Sequence, residues 1–305
     1  MESRKNIKKI LAVILSAIML LSVVPMSVFA EESSDVAVAT AANGTVTWYS
    51  DLALAFDAAQ YQDITVKLLK NVDEVHGTNG SDKGIKLSEG GNVILDLNGH
   101  SITKYNSYGT TNNYAFFYVT GNTKLTVKDS VGGGSINQPI QQPAFIVDKN
   151  ASLTIEGGTI TNSRSAGIRV DSGTLTVSGG AIESYGAGIQ VGGGTVTVTG
   201  NPKIHGRKSN ALLINGTSTV TLSGGRYTTE ESDGHSIWAT VGKVEDLLVE
   251  GYRYTDSNGN SIEVISNQYG SGTDCADVSV SDFGIKYKPR NFGRGRRQDG
   301  TLHGI

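Results

Sequence analysis

The chain has 305 residues, a formal net charge of −3 and a single cysteine, Cys275. One cysteine excludes an internal disulfide framework and a metal site of the Cys/His type. The first thirty residues carry a charge of +3 and the segment from Lys286 onward carries +5, so residues 31 to 285 sum to −11. An acidic body of this kind argues against binding nucleic acid or polyanionic glycans such as polygalacturonate, because like charges repel.

The first thirty residues have the pattern of a secretory signal peptide. Cationic residues between Arg4 and Lys9 precede an apolar run from Ile10 to Val24, and Val28-Phe29-Ala30 resembles a signal-peptidase site. The run is short of the roughly 20 residues that a membrane span needs. We therefore expect cleavage after Ala30 and an exported mature chain, secreted or associated with the cell envelope, that has no membrane span.

Residues 31–44 are expected to form a flexible segment, and the folded part is predicted to begin with a cap over residues 45–62. In this cap Ser50 is a candidate N-cap for a short helix that ends near Ala59, because the apolar residues between them share one face. Ile64, Val66 and Leu68 then alternate with polar residues, which predicts the opening strand of a repetitive structure.

A motif recurs along the middle of the chain and reads apolar, Thr or Asp, apolar, any residue, Gly, then Ile or Tyr shortly afterwards. Its copies begin at Leu95, Leu125, Leu153, Leu175, Val196 and Val220. Leu153, Leu175 and Val196 are separated by 22 and 21 positions. A second series of apolar pairs keeps the same spacing, at Phe117/Val119, Phe145/Val147, Ile168/Val170, Ile189/Val191, Leu212/Ile214 and Ile237/Ala239. Recurrence at this period predicts an all-β parallel solenoid with three short strands per coil and about seven coils.

The C-terminal end is predicted to close with a β-hairpin over residues 251–265, because Asn258-Gly259 lies between alternating segments. The solenoid with its two caps would then span residues 45–265. Residues 266–305 end in a basic stretch without apolar periodicity and are expected to form a disordered tail.

Leu95 to Ile102 reads LDLNGHSI and resembles the LDLNGHTI signature of pectate-lyase-like right-handed parallel β-helix domains, which occur in secreted and surface, adhesin-like proteins of gut Firmicutes. Ile64 to Val72 and Asp246 to Tyr252 are similar to the entry and exit segments of those domains. The resemblance covers about residues 45 to 265 and implies a right-handed parallel β-helix and export. Many such domains resemble adhesins or glycan binders, although a fold alone does not determine function.

The residues that most suggest binding are aromatic and polar side chains on the second series of strands and in the adjoining loops. Sugars place their C–H faces on aromatic rings, while guanidinium and amide groups bind their hydroxyls. The candidate glycan-binding residues are Tyr105, Tyr108, Tyr114, Tyr118, Arg164, Arg169, Tyr185, Gln190 and Trp238. Ile146 and Leu213 are predicted to share the strand row of Tyr118, so contact with a host or cell-surface protein is an alternative, and ordinary strand composition is another.

An enzymatic alternative rests on Asp148 and Asp171, which follow equivalent strands in successive coils with Arg169 beside them. Such a group could hold Ca²⁺ against a uronate and abstract a proton, as in a polysaccharide lyase of the pectate-lyase type. Turn-capping aspartates are the simpler interpretation. The main hypothesis therefore has no catalytic residue, metal or cofactor.

Two further expectations concern the rest of the protein. Glu183 and His205 occupy equivalent outward positions on adjacent coils and are expected to form a cross-strand pair. The third functional alternative is a structural spacer in a larger envelope protein, and we expect a monomer.

Overall fold

The computed structural model describes residues 34–76, 84–104, 115–232 and 234–283. The predicted signal peptide, the loop residues Tyr105, Tyr108 and Tyr114 and the basic segment from Lys286 onward lie outside these ranges. Among the described residues, no helix has the length and apolar character needed to cross a membrane.

The N-terminal cap consists of two antiparallel strands and one helix: β1 (Ala37–Ala41), β2 (Val46–Tyr49) and α1 (Leu52–Ala59). The helix begins one residue later than predicted, because Asp51 and not Ser50 is its N-cap. The Asp51 Oδ1 atom accepts a hydrogen bond from the amide of Ala53 at 2.7 Å. One face of α1 is buried in the core, and Leu54 on the opposite face is exposed; the buried face consists of Leu52, Ala55, Phe56 and Ala59.

Five coils with three separate strands each follow the cap. Coil 1 consists of β3 (Ile64–Leu68), β4 (Val72–Val75) and β5 (Ile85–Leu87); coil 2 of β6 (Asn92–Asp96), β7 (Ser101–Lys104) and β8 (Phe117–Val119); coil 3 of β9 (Lys124–Lys128), β10 (Ser135–Gln138) and β11 (Phe145–Val147); coil 4 of β12 (Ser152–Ile155), β13 (Thr159–Asn162) and β14 (Ile168–Val170); coil 5 of β15 (Thr174–Val177), β16 (Ala181–Ser184) and β17 (Ile189–Val191).

Two further turns complete the solenoid, and in each the first two strands run together. They consist of β18 (Gly194–Gly206) with β19 (Leu212–Ile214) and of β20 (Ser218–Thr229) with β21 (Ile237–Ala239). The copy of the motif that begins at Val196, in β18, is one residue longer than the copy at Val220. The additional residue produces a register shift between Gly200 and Lys203. The predicted number of about seven three-strand coils is therefore corrected to five such coils and two turns with fused strands.

Parallel pairing in register confirms the predicted solenoid. Leu153 pairs with Leu175, and Leu175 pairs with Val196, so equivalent apolar residues of successive coils stack on one another. Side chains alternate between a buried apolar core and the surface, as the period-two pattern requires. We call the outward sides of the first, second and third strands of the coils the first, second and third faces.

The N-terminal strand β1 pairs antiparallel with β3 and so covers the first edge of the solenoid. Part of the segment expected to be flexible is therefore ordered. Ala37 and Ala39 are buried, but their small side chains give a weak apolar signal in the sequence. Antiparallel covering of this kind blocks further strand addition to β3.

The C-terminal cap is longer than the predicted hairpin. After a 3₁₀ turn (Val244–Leu247) it contains β22 (Tyr252–Thr255), β23 (Val264–Asn267), β24 (Gly270–Thr273) and β25 (Asp277–Asp282). Asn258-Gly259 does lie in a turn, in which the Asp256 carboxylate accepts bonds from the amides of Asn258 and Asn260 at 2.8 Å. The regular hairpin is β23–β24, and β24 and β25 pair antiparallel with β21 and β20. Residues 266–283, expected to be disordered, thus cover the last turn.

Candidate functional site

The third face brings the predicted outward row together. Successive third strands pair in register, so that one row runs along the solenoid through Lys86, Tyr118, Ile146, Arg169, Gln190, Leu213 and Trp238. We call it the third-face row. Neighbouring members are one strand apart, about 4.8 Å. The period-two alternation predicted this row because Tyr118 lies between the buried Phe117 and Val119.

Tyr118 is held by Asp148 of the next coil. Its hydroxyl donates to Asp148 Oδ2 at 3.0 Å, while Asp148 Oδ1 accepts from the Ser172 hydroxyl and from the amide of Lys149. Partial burial raises the pKa of Asp148, but these hydrogen bonds outweigh it and hold the pKa below its ordinary value. Burial raises the pKa of Tyr118, and the bond to Asp148 raises it further. At neutral pH the carboxylate is therefore ionised and the hydroxyl keeps its proton.

Arg169 is held by Asp171. Its Nε lies 3.0 Å from Asp171 Oδ1 and its Nη2 lies 3.1 Å from Oδ2, a two-point ion pair. A guanidinium group has five N–H donors, so about three remain for a ligand. The Arg169 side chain is 37% exposed, which leaves these donors accessible.

The same contacts bear on the lyase alternative. Asp148 and Asp171 follow paired strands, as predicted, but one binds Tyr118 and Ser172 while the other binds Arg169. Within the described ranges, no three His, Cys, Asp or Glu side chains are grouped so that they could hold a metal ion. Arg169, the candidate base, is committed to an ion pair. Asp148 therefore anchors Tyr118, and Asp171 anchors Arg169.

Trp238, at the far end of the third-face row, also belongs to the C-terminal cap. Its ring stacks on His235 with centroids 5.1 Å apart. A methyl group at Gly272 of β24 would collide with the indole, so the cap backbone lies directly against the ring. Ile146, in the middle of the row, is only 8% exposed. The accessible polar members of the row are therefore Tyr118, Arg169 and Gln190, together with exposed Lys86 beside Tyr118.

The corner between the second and third faces carries Arg164 and Tyr185, both exposed. Asn162 builds this corner from inside, because its Oδ1 accepts from the amides of Arg164 and Ser165 while its Nδ2 donates to the carbonyls of Gln142 and Ala166. Tyr185 stays in register with the coil before it, since its amide donates to the Asn162 carbonyl at 2.8 Å. Its side chain is 43% exposed.

A depression of about 320 Å³ on the second face was not recognised in the sequence. Its lining comes from three successive coils and consists of Asn137, Gln138, Pro139, Thr161, Asn162, Ser163 and Glu183. The polar outward residues Asn137, Thr161 and Glu183, at equivalent positions of three successive strands, are the signal for it in the sequence.

The predicted Glu183–His205 pair is not formed. Their backbones are paired, but the imidazole nitrogens of His205 lie 2.9 Å from Thr228 Oγ1 and 3.7 Å from a Glu230 carboxylate oxygen, toward the following coil. The Glu183 carboxylate consequently makes neither a hydrogen bond nor an ion pair with any other residue that the structure describes.

Comparison of this chain with protein-family models, curated proteins and solved structures finds no match.

Proposed function

We propose that this protein is an exported, non-catalytic β-helix that binds a glycan through the third-face row and acts in an adhesin-like role at the cell surface. The observation that carries the proposal is the alignment of Tyr118, Arg169 and Gln190 in one row, with the first two anchored by carboxylates. The resemblance of the LDLNGHSI segment to pectate-lyase-like domains of gut Firmicutes supports the same assignment.

Rigidity is the physical reason for choosing this surface. Each side chain stands on a strand that is paired on both sides, and Asp148 and Asp171 restrict the rotation of Tyr118 and Arg169 further. Little conformational entropy is then lost on binding, which raises affinity for a given set of contacts. From Tyr118 to Trp238 the row crosses five strand intervals, about 24 Å, long enough for an extended oligosaccharide.

Charge and chemistry limit the ligand to a neutral or weakly charged glycan. The body of the chain sums to −11, so a polyuronate would be repelled over distances of about 8 Å at physiological salt. Tyr118 provides a ring for sugar C–H groups, while Arg169 and Gln190 provide hydrogen-bonding groups for hydroxyls. The signal-peptide pattern supports export, which would bring this surface into contact with glycans of neighbouring cells.

Affinity electrophoresis tests the proposal. Native gels containing galactomannan, xyloglucan or polygalacturonate are run with the wild-type chain and with Tyr118→Ala, Arg169→Ala and Trp238→Ala. Loss of one aromatic contact is worth about 1 kcal/mol, so Tyr118→Ala is expected to weaken retardation in a neutral gel about fivefold. Trp238→Ala is expected to have a smaller effect, because part of its ring is covered by the cap.

Tyr61→Ala is the matched control, because Tyr61 is 70% exposed but lies in the N-terminal cap. Its retardation should equal that of the wild type. Equal retardation of all variants would show that the third face does not bind the glycan. Retardation only by polygalacturonate would contradict the assignment of a neutral or weakly charged ligand. Release of an unsaturated uronate product in the presence of Ca²⁺ would instead establish the lyase alternative.

A further inference from the structure

We propose that the depression on the second face is a separate binding site for one neutral sugar residue, in which Glu183 and Thr161 accept hydrogen bonds from vicinal hydroxyls and Tyr185 provides the stacking ring. This site is independent of the third-face row. Its volume of about 320 Å³ is at the lower end of the range for small-ligand sites.

The direction of the hydrogen bonds on this face determines what the site offers. The Thr161 hydroxyl donates to Asn137 Oδ1 at 2.7 Å, and Asn137 Nδ2 in turn is within 3.3 Å of Thr103 Oγ1 and of Ser135 Oγ. The single proton of Thr161 is therefore used within the protein. Its oxygen faces a ligand only as an acceptor.

Glu183 supplies the second acceptor. Thr161 and Glu183 are paired across adjacent strands, about 4.8 Å apart at the backbone. The Glu183 carboxylate has no partner among the described residues, and the one donor in register with it, His205, is bonded to Thr228 and lies near Glu230 instead. Two neighbouring acceptors with no protein donor between them favour a ligand that has two hydrogen-bond donors.

A third acceptor borders the same depression. Gln138 is 1% exposed and donates through Nε2 to the Pro143 carbonyl, while its Oε1 atom is buried without a hydrogen-bond partner in the described structure. A buried acceptor left without a donor is costly, but Asn137 is the outward residue of this end of β10 and the Gln138 side chain points inward, so a surface ligand does not contact it. Thr161 and Glu183 are therefore the acceptors that the depression offers, and both favour a hydroxyl donor over carboxylate or sulfate.

Tyr185 is positioned to complete the site. Tyr185 directly follows β16, two residues after Glu183, and both side chains are exposed while Ser184 between them is buried. A pyranose ring held by its hydroxyls at Glu183 can then place its C–H face toward the Tyr185 ring. One polar cluster beside one exposed aromatic ring is sufficient for a single sugar residue but not for a long polymer.

Titration followed by NMR of the ¹⁵N-labelled chain tests this inference. The probes are tetrasaccharides of glucose, mannose and galactose, with tetragalacturonate as the anionic comparison. At least one neutral probe is expected to shift the side-chain amide signals of Asn137 and the backbone signal of Thr161. Glu183→Gln should weaken this binding roughly tenfold, because a charged acceptor is replaced by a neutral amide that accepts through one oxygen only.

Glu156→Gln is the matched control, because Glu156 is an exposed carboxylate on the first face of the preceding coil. It should leave the titration unchanged. Tyr118→Ala should also leave the Asn137 shifts unchanged, which separates failure of this site from failure of the third-face row. Tighter binding of tetragalacturonate, no Asn137 shift with any neutral probe, or equal binding by Glu183→Gln would overturn the inference.

Discussion

Asp129 is expected to clamp two coils together, and its removal should destabilise the whole protein. Its Oδ1 atom accepts from the amide of Gly99 and its Oδ2 atom accepts from the amide of Gly134, each at 2.7 Å. Gly99 belongs to coil 2 and is the glycine of the LDLNGHSI signature, whereas Gly134 precedes the second strand of coil 3. The aspartate therefore fixes the turn of one coil against the turn of the next.

The size of the effect follows from these two bonds. A hydrogen bond to a charged group contributes about 1.5 to 3 kcal/mol, so the two together set an upper range of roughly 3 to 6 kcal/mol. Asp129 is half-buried, and water can replace part of what is lost. We expect Asp129→Ala to lower the free energy of unfolding by about 3 kcal/mol, and Asp129→Asn, which keeps one oxygen, by about half as much.

Urea unfolding followed by circular dichroism measures this change. The midpoint should fall while the dependence on urea concentration stays the same, because the surface exposed on unfolding is unchanged. Glu156→Ala is the control, since its exposed side chain should contribute less than about 0.5 kcal/mol. The reasoning is refuted if Asp129→Ala and Glu156→Ala unfold at the same urea concentration.

Three further outcomes are expected. Gly179→Ala should prevent folding or lower the melting temperature sharply, because a methyl there would overlap the carbonyl oxygen of Glu156; soluble protein with wild-type melting would contradict this. The free energy of unfolding should be constant from neutral pH to about pH 4 and then fall. The ionised Asp148 carboxylate stabilises the folded state because its folded-state pKa lies below the ordinary value, and this stabilisation is lost as the pH falls through the folded-state pKa. Melting curves of Asp148→Asn should show a shallower fall. Trp238→Ala should speed hydrogen exchange in the C-terminal cap and leave coils 1 to 5 as protected as before.

The coils could be predicted from the sequence because their pattern is local and repeats. The alternation that buries Leu153 buries Leu175 in the same way one coil later, so six copies of the motif reinforce one interpretation. The third-face row followed from the same argument, and its register is confirmed. The position of a residue within its repeat was sufficient to predict whether its side chain points inward or outward.

The antiparallel cap strands and the second-face depression could not be predicted because they depend on contacts that do not repeat. β1 and β25 each pair once, antiparallel, with an edge of the solenoid, and nothing in the motif anticipates them. The Glu183 carboxylate at the depression is left unpaired within the described ranges because the His205 ring contacts Thr228 and Glu230 on the following coil. Spacing placed Glu183 beside His205 correctly but could not indicate that the two side chains remain apart.

A glycan array probed with the wild-type chain and with the double variant Tyr118→Ala/Arg169→Ala is the most direct measurement of whether the third face binds sugar. The account predicts that the wild type binds at least one neutral glycan and that the double variant, folded as judged by circular dichroism, loses that signal. Wild-type binding confined to uronic-acid glycans, no binding to any neutral glycan, or an unchanged pattern in the double variant would contradict it.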